Sequence, residues 1–249
     1  MMNIKPAIVV GALLLITNIA SGAKQMDTVI VHEPGGWEHI SIIVSGNDQV
    51  AQDGYMLNGK KEGTWTVYAT SKYPKTITNY REGKKNGLEV SFSAKGALES
   101  LENYKEDKLH GIKRTYHPVE GKLLTEETYA DGKLHGDYTI YYNNGFRQES
   151  GHADNGKYNG KRIWYYPTGK IAVTYEYVDN LKNGESVVYY ENGFLQEAGA
   201  YKNDMRTGTW KEYDNNGRLK AEGPYVKDDK KGEWKEYNEK GEIINTFKY

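Results

Sequence analysis

Histidine and carboxylate side chains are the groups in this chain whose types could do chemistry, as metal ligands or as acid–base catalysts. The sequence has six histidines and 34 Asp and Glu residues but no cysteine, which excludes thiol catalysis, iron–sulfur clusters and cysteine-ligated zinc. His110 and His135 each stand in a Leu-His-Gly sequence, and His32 and His39 flank a Pro-Gly-Gly stretch. Because no metal-ligand spacing recurs and no carboxylate stands out beside a nucleophile or base, we predict no catalytic residue, no metal site and no cofactor.

Glycine, not a reactive group, carries the regular pattern of this chain. Eight glycines follow one another at gaps of 24 residues, with one gap of 25. A fixed period in this range is typical of repeat proteins, which build surfaces from one stacked supersecondary unit. These anchor glycines are Gly63, Gly87, Gly111, Gly136, Gly160, Gly184, Gly208 and Gly232.

Other positions keep a constant distance from each anchor glycine. Five residues later comes an aromatic residue: Tyr68, Phe92, Tyr116, Tyr141, Tyr165, Tyr189, Tyr213 and Tyr237. A second glycine follows at about nine residues, a tyrosine at about 17, and a Gly, Asn or Asp at about 20. Gly, Asn and Asp tolerate the positive φ of tight turns, and the segments between are short and rich in Tyr, Thr, Val, Ile and Trp. Each repeat therefore predicts two strands and two turns, and no helix.

The fold class predicted is all-β, an elongated single-sheet array of antiparallel hairpins. Eight repeats give about sixteen strands, which at roughly 4.8 Å each would extend about 75 Å. Positions two and five after the anchor have opposite parity, yet both carry aromatic residues in several copies. Either both faces of the sheet are partly covered, or a glycine bulge shifts the register.

Four stretches link a tyrosine, a turn, a lysine and an anchor glycine: Tyr104-Lys-Glu-Asp-Lys-Leu-His-Gly111, Tyr129-Ala-Asp-Gly-Lys-Leu-His-Gly136, Tyr80-Arg-Glu-Gly-Lys-Lys-Asn-Gly87 and Tyr177-Val-Asp-Asn-Leu-Lys-Asn-Gly184. They resemble MORN repeats, and more closely the bacterial MORN-variant family often labelled antitoxin-like. The resemblance covers roughly residues 55–249. It implies an extended, twisted sheet of hairpins, and a role in protein binding or scaffolding, sometimes with lipid contact.

The first 54 residues lie outside the repeats. Residues 1–23 are predicted to be a cleaved signal peptide, because Lys5 precedes the apolar run Ala7–Ile16 and small residues follow at 21–23. An uncleaved anchor or a buried strand are the alternatives. Residues 24–54 predict an N-terminal β cap with strands at Asp27–His32 and His39–Val44, which leaves 55–249 as the repeat array. The chain is therefore expected to be exported, either periplasmic or secreted.

Position two after the anchor varies between copies, and four aromatic residues occupy it: Trp65, Tyr138, Trp210 and Trp234. One interpretation makes them a candidate binding face, since aromatic anchors are enriched at interfaces. The other is that they pack on neighbouring tyrosines. The formal net charge is −1, and the sequence has no stripe of clustered Lys and Arg residues. We therefore expect neither nucleic acid nor a membrane as partner.

The function predicted is a non-enzymatic, exported, protein-binding or scaffolding repeat protein. The alternatives are a carbohydrate-binding module of the cell envelope, suggested by Trp164-Tyr-Tyr166, an antitoxin-like component, or a purely structural spacer. Its partner is expected to be an unidentified protein. Self-association through the edge strand that ends at Tyr249 is a further possibility, because unpaired edges attract other strands.

Overall fold

A computed structural model describes residues 25–68 and 73–249, together with the backbone of Leu15–Ile16. The predicted signal peptide lies outside the described residues, apart from that short segment. The chain divides into two compact units, one of residues 1–111 and 118–121, the other of residues 112–117 and 122–249. In both units every described regular element is a β-strand, so the all-β prediction is confirmed. No helix in the described part of the chain has the length and hydropathy needed to cross a membrane.

The first unit is an antiparallel sheet in which strands adjacent in sequence pair with each other. The expected strands at Asp27–His32 and His39–Val44 are present as β2 and β3, and β4 pairs with both β3 and the first repeat strand, β5. The strands are β1 (Leu15–Ile16), β2 (Met26–Glu33), β3 (Trp37–Val44), β4 (Gln49–Leu57), β5 (Lys60–Tyr68), β6 (Pro74–Arg81), β7 (Lys84–Phe92), β8 (Leu98–Lys105) and β9 (Lys108–Leu109).

The second unit repeats the same arrangement. Where two short strands replace one long strand, the break falls beside an anchor glycine, as at Gly160 and Gly232. The strands are β10 (Gly111–Tyr116), β11 (Leu123–Ala130), β12 (Lys133–Tyr141), β13 (Arg147–Asp154), β14 (Lys157–Tyr158), β15 (Gly160–Tyr165), β16 (Ile171–Val178), β17 (Leu181–Tyr189), β18 (Leu195–Lys202), β19 (Met205–Tyr213), β20 (Leu219–Val226), β21 (Asp229–Lys230), β22 (Glu233–Tyr237) and β23 (Ile243–Lys248).

Two kinds of connection alternate along the chain. A two-residue turn at about position 20 of each repeat has positive φ at both residues, for example 51° at Asp179 and 73° at Asn180. That is the backbone of a type I′ turn, whose twist matches the twist of the strands it joins. Longer loops at the other end contain the second glycine, and Asn143-Asn144-Gly145 and Asn215-Asn216-Gly217 form such loops as predicted. We call the two ends the turn edge and the loop edge.

Each anchor glycine lies where the strand pairing is irregular, at a β-bulge in five copies and at a strand break in three. In the pairing of β18 with β19, Ala198 pairs with Lys211 and Ala200 with Thr207, so Gly199 alone opposes three residues that include the anchor Gly208. All eight anchors have positive φ, from 64° at Gly232 to 132° at Gly184. Only glycine adopts this conformation without strain, which explains the strict recurrence.

The bulge decides which side chains share a face. Side chains two residues before the anchor and two residues after it point to one side, which we call the tryptophan face. The aromatic residue at position five points to the opposite face and is half-buried, for example Tyr165, whose hydroxyl lies 3.2 Å from Ser150 Oγ. Both alternatives raised by the sequence therefore apply, because a bulge shifts the register and both faces are partly covered.

Candidate functional site

The four residues of the candidate binding face are among the most buried in the protein. Trp65, Tyr138, Trp210 and Trp234 are exposed by only 3%, 4%, 1% and 2%. The structure therefore places them inside the tryptophan face and not on an open surface, and packing on neighbouring tyrosines is the arrangement observed. Position two varies between copies because its neighbours vary with it, not because it is free of structural demand.

Each of the three tryptophans lies flat on a glycine of the preceding strand. A Cβ added to Gly199 would stand 2.2 Å from Trp210 Cδ2, and the Gly54–Trp65 and Gly223–Trp234 pairs are as close. The glycine lies eleven residues before the tryptophan in all three pairs. Only a residue without a side chain leaves room for an indole against the backbone.

The indole N–H groups make the same hydrogen bond in all three copies. Trp65 Nε1 donates to the carbonyl oxygen of Tyr55 at 2.7 Å, and Trp234 Nε1 donates to that of Pro224 at 3.0 Å. Trp210 Nε1 donates to Ala200 at 3.3 Å. These carbonyls lie beside the bulge, so a buried indole satisfies a backbone acceptor where the strand pairing is irregular.

Tyrosines and cations close the tryptophan face. The rings of Tyr201, Trp210, Tyr225 and Trp234 follow one another at centroid distances of 5.1–6.0 Å and nearly perpendicular angles. Lys230 Nζ lies 3.8 Å from the Trp234 ring centroid. Equivalent cations two residues before the anchor are Lys61, Lys85, Lys182 and Arg206, each above an aromatic ring. Such edge-to-face and cation–π contacts stabilise the face beyond the burial of its area.

Burial on this face shifts the pKa values of Tyr201 and Lys61 so that the neutral forms are favoured. It raises the pKa of Tyr201 to about 12 and lowers the pKa of Lys61. The Tyr201 hydroxyl therefore stays neutral across the physiological range, and the ring contributes to the face through packing.

Other copies fill position two with polar groups. Glu89, Tyr138 and Arg162 are hydrogen-bonded to neighbours, whereas the Ser186 hydroxyl, 1% exposed, has no hydrogen-bond partner among the described residues. Glu89, 8% exposed, accepts a hydrogen bond of 2.6 Å from Thr78 Oγ1 and contacts Lys85 Nζ at 2.7 Å. Tyr138 donates to Glu149 Oε1 at 2.6 Å, and Arg162 Nε donates to the same oxygen at 2.7 Å. Burial, followed by this hydrogen bond, raises the pKa of Tyr138.

Successive repeats are joined at the turn edge by backbone groups. The Asp204 amide donates to the carbonyl of Lys182 at 3.0 Å, and the Asp204 carboxylate accepts from the Lys182 amide at 2.8 Å. Asp107, Asn180 and Asp228 make the same pair of bonds with the residue 22 positions earlier. The turn thus holds the backbone of the residue two positions before the anchor glycine in the preceding repeat, which is a cation in three of these four cases and Tyr158 in the fourth.

The loop edge uses tyrosine hydroxyls for the same purpose. Tyr142, Tyr166 and Tyr190 donate to the carbonyls of Tyr165, Tyr189 and Tyr213 at 2.7–2.9 Å. Trp164 packs edge-on against Tyr175 at 5.6 Å, with Arg162 over its ring. The Trp164-Tyr-Tyr166 stretch that suggested carbohydrate binding is therefore engaged in contacts within the sheet.

Several histidines form pairs with carboxylates. His135 and His152 contact Asp154 and Asp137 at 2.9 and 2.7 Å, and His39 contacts Asp53 at 3.1 Å. Among the residues that the structure describes, no group of three or more His, Cys, Asp or Glu side chains is arranged to hold a metal ion. Ser41 donates to Asp53 at 2.7 Å, so the carboxylate stands between the hydroxyl and the imidazole, and the imidazole is not placed to activate the serine.

The sequence pattern alone did not indicate two sets of structurally important residues. One set is the glycines beneath the tryptophans, Gly54, Gly199 and Gly223, and the other is the cations above the tryptophans. The signal was present in the spacing. A glycine eleven residues before each position-two tryptophan, and a Lys or Arg four residues before it, mark all three copies.

These features define a class of protein: an antiparallel β-hairpin repeat protein whose units are joined by bulge glycines, turn caps and aromatic packing. Residues 158–179, 182–203 and 206–227 match the MORN repeat variant family. The chain thus contains MORN repeat variants, as the resemblance predicted, and such repeats commonly bind proteins or membranes. No curated protein matches this chain.

Proposed function

We propose that this is an exported, non-enzymatic repeat protein whose sheet surface binds another protein. The proposal rests on a difference between two sets of positions within each repeat. The glycines, turn residues and aromatic residues make contacts between strands that recur along the chain. The side chains at exposed positions, in contrast, differ from one repeat to the next. A constant frame with a changing exterior suits recognition of a partner.

The four residues first considered as a binding face have a different role in this proposal. Trp65, Tyr138, Trp210 and Trp234 shape the sheet from inside, and exposed residues make the contact. Large apolar side chains that are 40–52% exposed, among them Val178, Phe146, Phe194 and Ile171, lie in the second unit. Single exposed apolar residues are ordinary, so the argument for a particular site requires a cluster of them.

Export rests on the amino-terminal sequence of residues 1–23, and it is tested first. Cell fractionation with amino-terminal sequencing should recover a chain that begins near residue 24 in the periplasm or the medium. Recovery of the intact chain from the cytoplasm would contradict export and would make an antitoxin-like role the better hypothesis.

Binding is tested by immobilising the protein and capturing proteins from the cell-envelope fraction of its own cells. A captured protein supports the proposal only if, once purified, it binds again in calorimetry. If no purified protein binds but an envelope polysaccharide changes tryptophan fluorescence, the carbohydrate-binding alternative replaces the proposal.

We also propose that a second copy pairs along β23. All six residues of this strand are exposed, and Ile243, Ile244 and Phe247 are 52%, 57% and 42% exposed. Among the described strands β23 pairs only with β22, and an exposed apolar strand with one unpaired edge attracts another strand. Sedimentation equilibrium should show a concentration-dependent dimer that Ile244→Lys abolishes, whereas Val31→Lys, at an exposed position of β2, should leave it unchanged.

A further inference from the structure

Four of the exposed apolar residues of the second unit lie at the turn edge of three successive hairpins. In these three hairpins the two residues that flank the two-residue turn pair directly with each other: Val178 with Leu181, Lys202 with Met205, and Val226 with Asp229. Val178, Lys202 and Val226 directly follow Tyr177, Tyr201 and Tyr225, whose side chains lie on the tryptophan face. The flanking side chains therefore point to the opposite face of the sheet. The turn-edge patch comprises Val178, Leu181, Lys202, Met205, Val226 and Lys227.

The turn-edge patch is apolar at its base and cationic at its rim. Val178, Leu181, Met205 and Val226 are 50%, 41%, 41% and 51% exposed. A cavity of about 290 Å³ lies among Met205, Val226, Lys202 and Lys227. Neither lysine forms an ion pair with any of the described residues.

The acids nearest to the patch are mostly occupied. The carboxylates of Asp204 and Asp228 cap the backbone amides of Lys182 and Arg206, and Asp179 contacts Lys157 at 3.3 Å. Asp229, opposite Val226, closes one end of the patch. Two cations without ion pairs beside an apolar surface favour a ligand that carries both carboxylates and apolar side chains.

The equivalent turn positions of the first unit show that this character is local. There the flanking pairs are Leu57 with Lys60, Arg81 with Lys84, and Lys105 with Lys108, and the last two pairs are fully charged. The apolar side chains of the second unit are therefore not required by the hairpin itself.

We propose that the turn-edge patch binds an extended, acidic peptide segment of a partner protein with an apolar residue at every third position. This proposal rests on the proposed function and gives it a location. Two strands per repeat place equivalent side chains roughly 9.6 Å apart. A polyproline II segment has three residues per turn and rises about 9.3 Å per turn, so one side chain in three meets each successive repeat. A concave cavity suits such side chains better than it suits a flat bilayer.

The test uses a fluorescein-labelled peptide of four Leu-Pro-Glu triplets, the full-length protein and fluorescence anisotropy. We expect saturable binding that weakens at least about 10-fold in Lys202→Glu and in Met205→Asp. Lys105→Glu, at the position equivalent to Lys202 in the first unit, should change the affinity less than about 2-fold. Peptides of Ser-Pro-Glu or Leu-Pro-Lys triplets should not bind. Thermal melting of each variant confirms that it is folded.

The absence of saturable binding by the Leu-Pro-Glu peptide overturns the inference, as does equal binding by the wild type and both patch variants. If phosphatidylglycerol vesicles sediment with the wild type but not with Lys202→Glu, while the peptide does not bind, the patch recognises lipid and the inference is wrong. A purified partner that binds wild type and Met205→Asp equally well also overturns it, yet leaves the proposed function standing.

Discussion

Residues 199–234 and residues 78–104 occupy equivalent places in the repeat but cover the tryptophan face in different ways. In the first segment Trp210 and Trp234 lie on Gly199 and Gly223. In the second, Glu89 fills the place of the indole and binds Thr78, which takes the place of the glycine. The cation above the face is present in both segments, as Arg206 and Lys230 or as Lys85.

The difference shows that the repeat constrains pairs of residues more than single residues. A flat indole requires a glycine beneath it, and a buried carboxylate requires a hydroxyl and an ammonium group. Either pair, glycine with tryptophan or threonine with glutamate, covers the tryptophan face, provided that both members of the pair change together. The contribution of the two fillings to stability should nevertheless differ, because one buries a large apolar area and the other exchanges hydration for hydrogen bonds.

The largest expected effect is that of Trp210→Ala. Removing a buried tryptophan leaves a cavity between Tyr201 and Tyr225, and large-to-small substitutions of this kind cost about 3–5 kcal/mol. Urea denaturation followed by circular dichroism measures the change. Trp164→Ala, which removes a half-buried tryptophan, is the matched control and should cost clearly less. A cost below about 1 kcal/mol for Trp210→Ala would show that the ring is not part of the core.

The second prediction tests whether Gly199 and Trp210 act as a pair. Gly199→Ala should cost about 1–3 kcal/mol, because its Cβ would overlap the indole. In the Trp210→Ala background the same substitution should cost less than about 0.5 kcal/mol, since nothing then occupies that space. Gly199 has no positive φ, so the backbone itself accepts alanine. Equal costs in both backgrounds would refute the pairing.

The third prediction concerns residues 78–104, where a buried carboxylate takes the place of the indole. Thr78→Val keeps the shape of the side chain but removes the hydrogen bond to Glu89, which should cost about 1–2 kcal/mol. The loss should be smaller in Thr78→Ser, which keeps the hydroxyl. If Thr78→Val leaves the free energy of unfolding unchanged, Lys85 alone satisfies the buried carboxylate. Thr78 and Glu89 would then not be a pair in the sense in which Gly199 and Trp210 are.

Much of the fold follows from the sequence because its period is strict. The anchor glycines, the aromatic residues at position five and the turn residues predict two strands per repeat, and the structure confirms them. The placement of Trp210 could not be read in the same way. Whether position two is covered depends on contacts with Gly199, Arg206 and Tyr225, which lie on three different strands. Variation at position two alone suggests freedom from structural demand, whereas in the structure it accompanies a change of the partner residue, as between Gly199–Trp210 and Thr78–Glu89.

The smallest expected effect is a gain in stability, and it comes from Glu197, which lies on the same strand as Gly199. Glu197 stands directly opposite Glu212, and burial raises the pKa of Glu197 above its usual range. Like charges directly opposite each other destabilise a sheet by roughly 0.2–1 kcal/mol. Glu197→Gln should therefore increase the free energy of unfolding at pH 7 by a few tenths of a kcal/mol, on the order of that range.

The pH dependence identifies the cause of this gain. Because the folded protein holds the Glu197 proton more tightly than the unfolded chain does, the wild type loses stability as pH rises through the folded pKa. Below the unfolded pKa of about 4.3 the glutamate is protonated in both states, and the advantage of Glu197→Gln should vanish. Thermal melts at pH 4 and pH 7 measure this, with Glu191→Gln in an exposed loop as the control. An advantage that persists unchanged at pH 4 would mean that side-chain packing, not charge, distinguishes glutamine from glutamate at position 197.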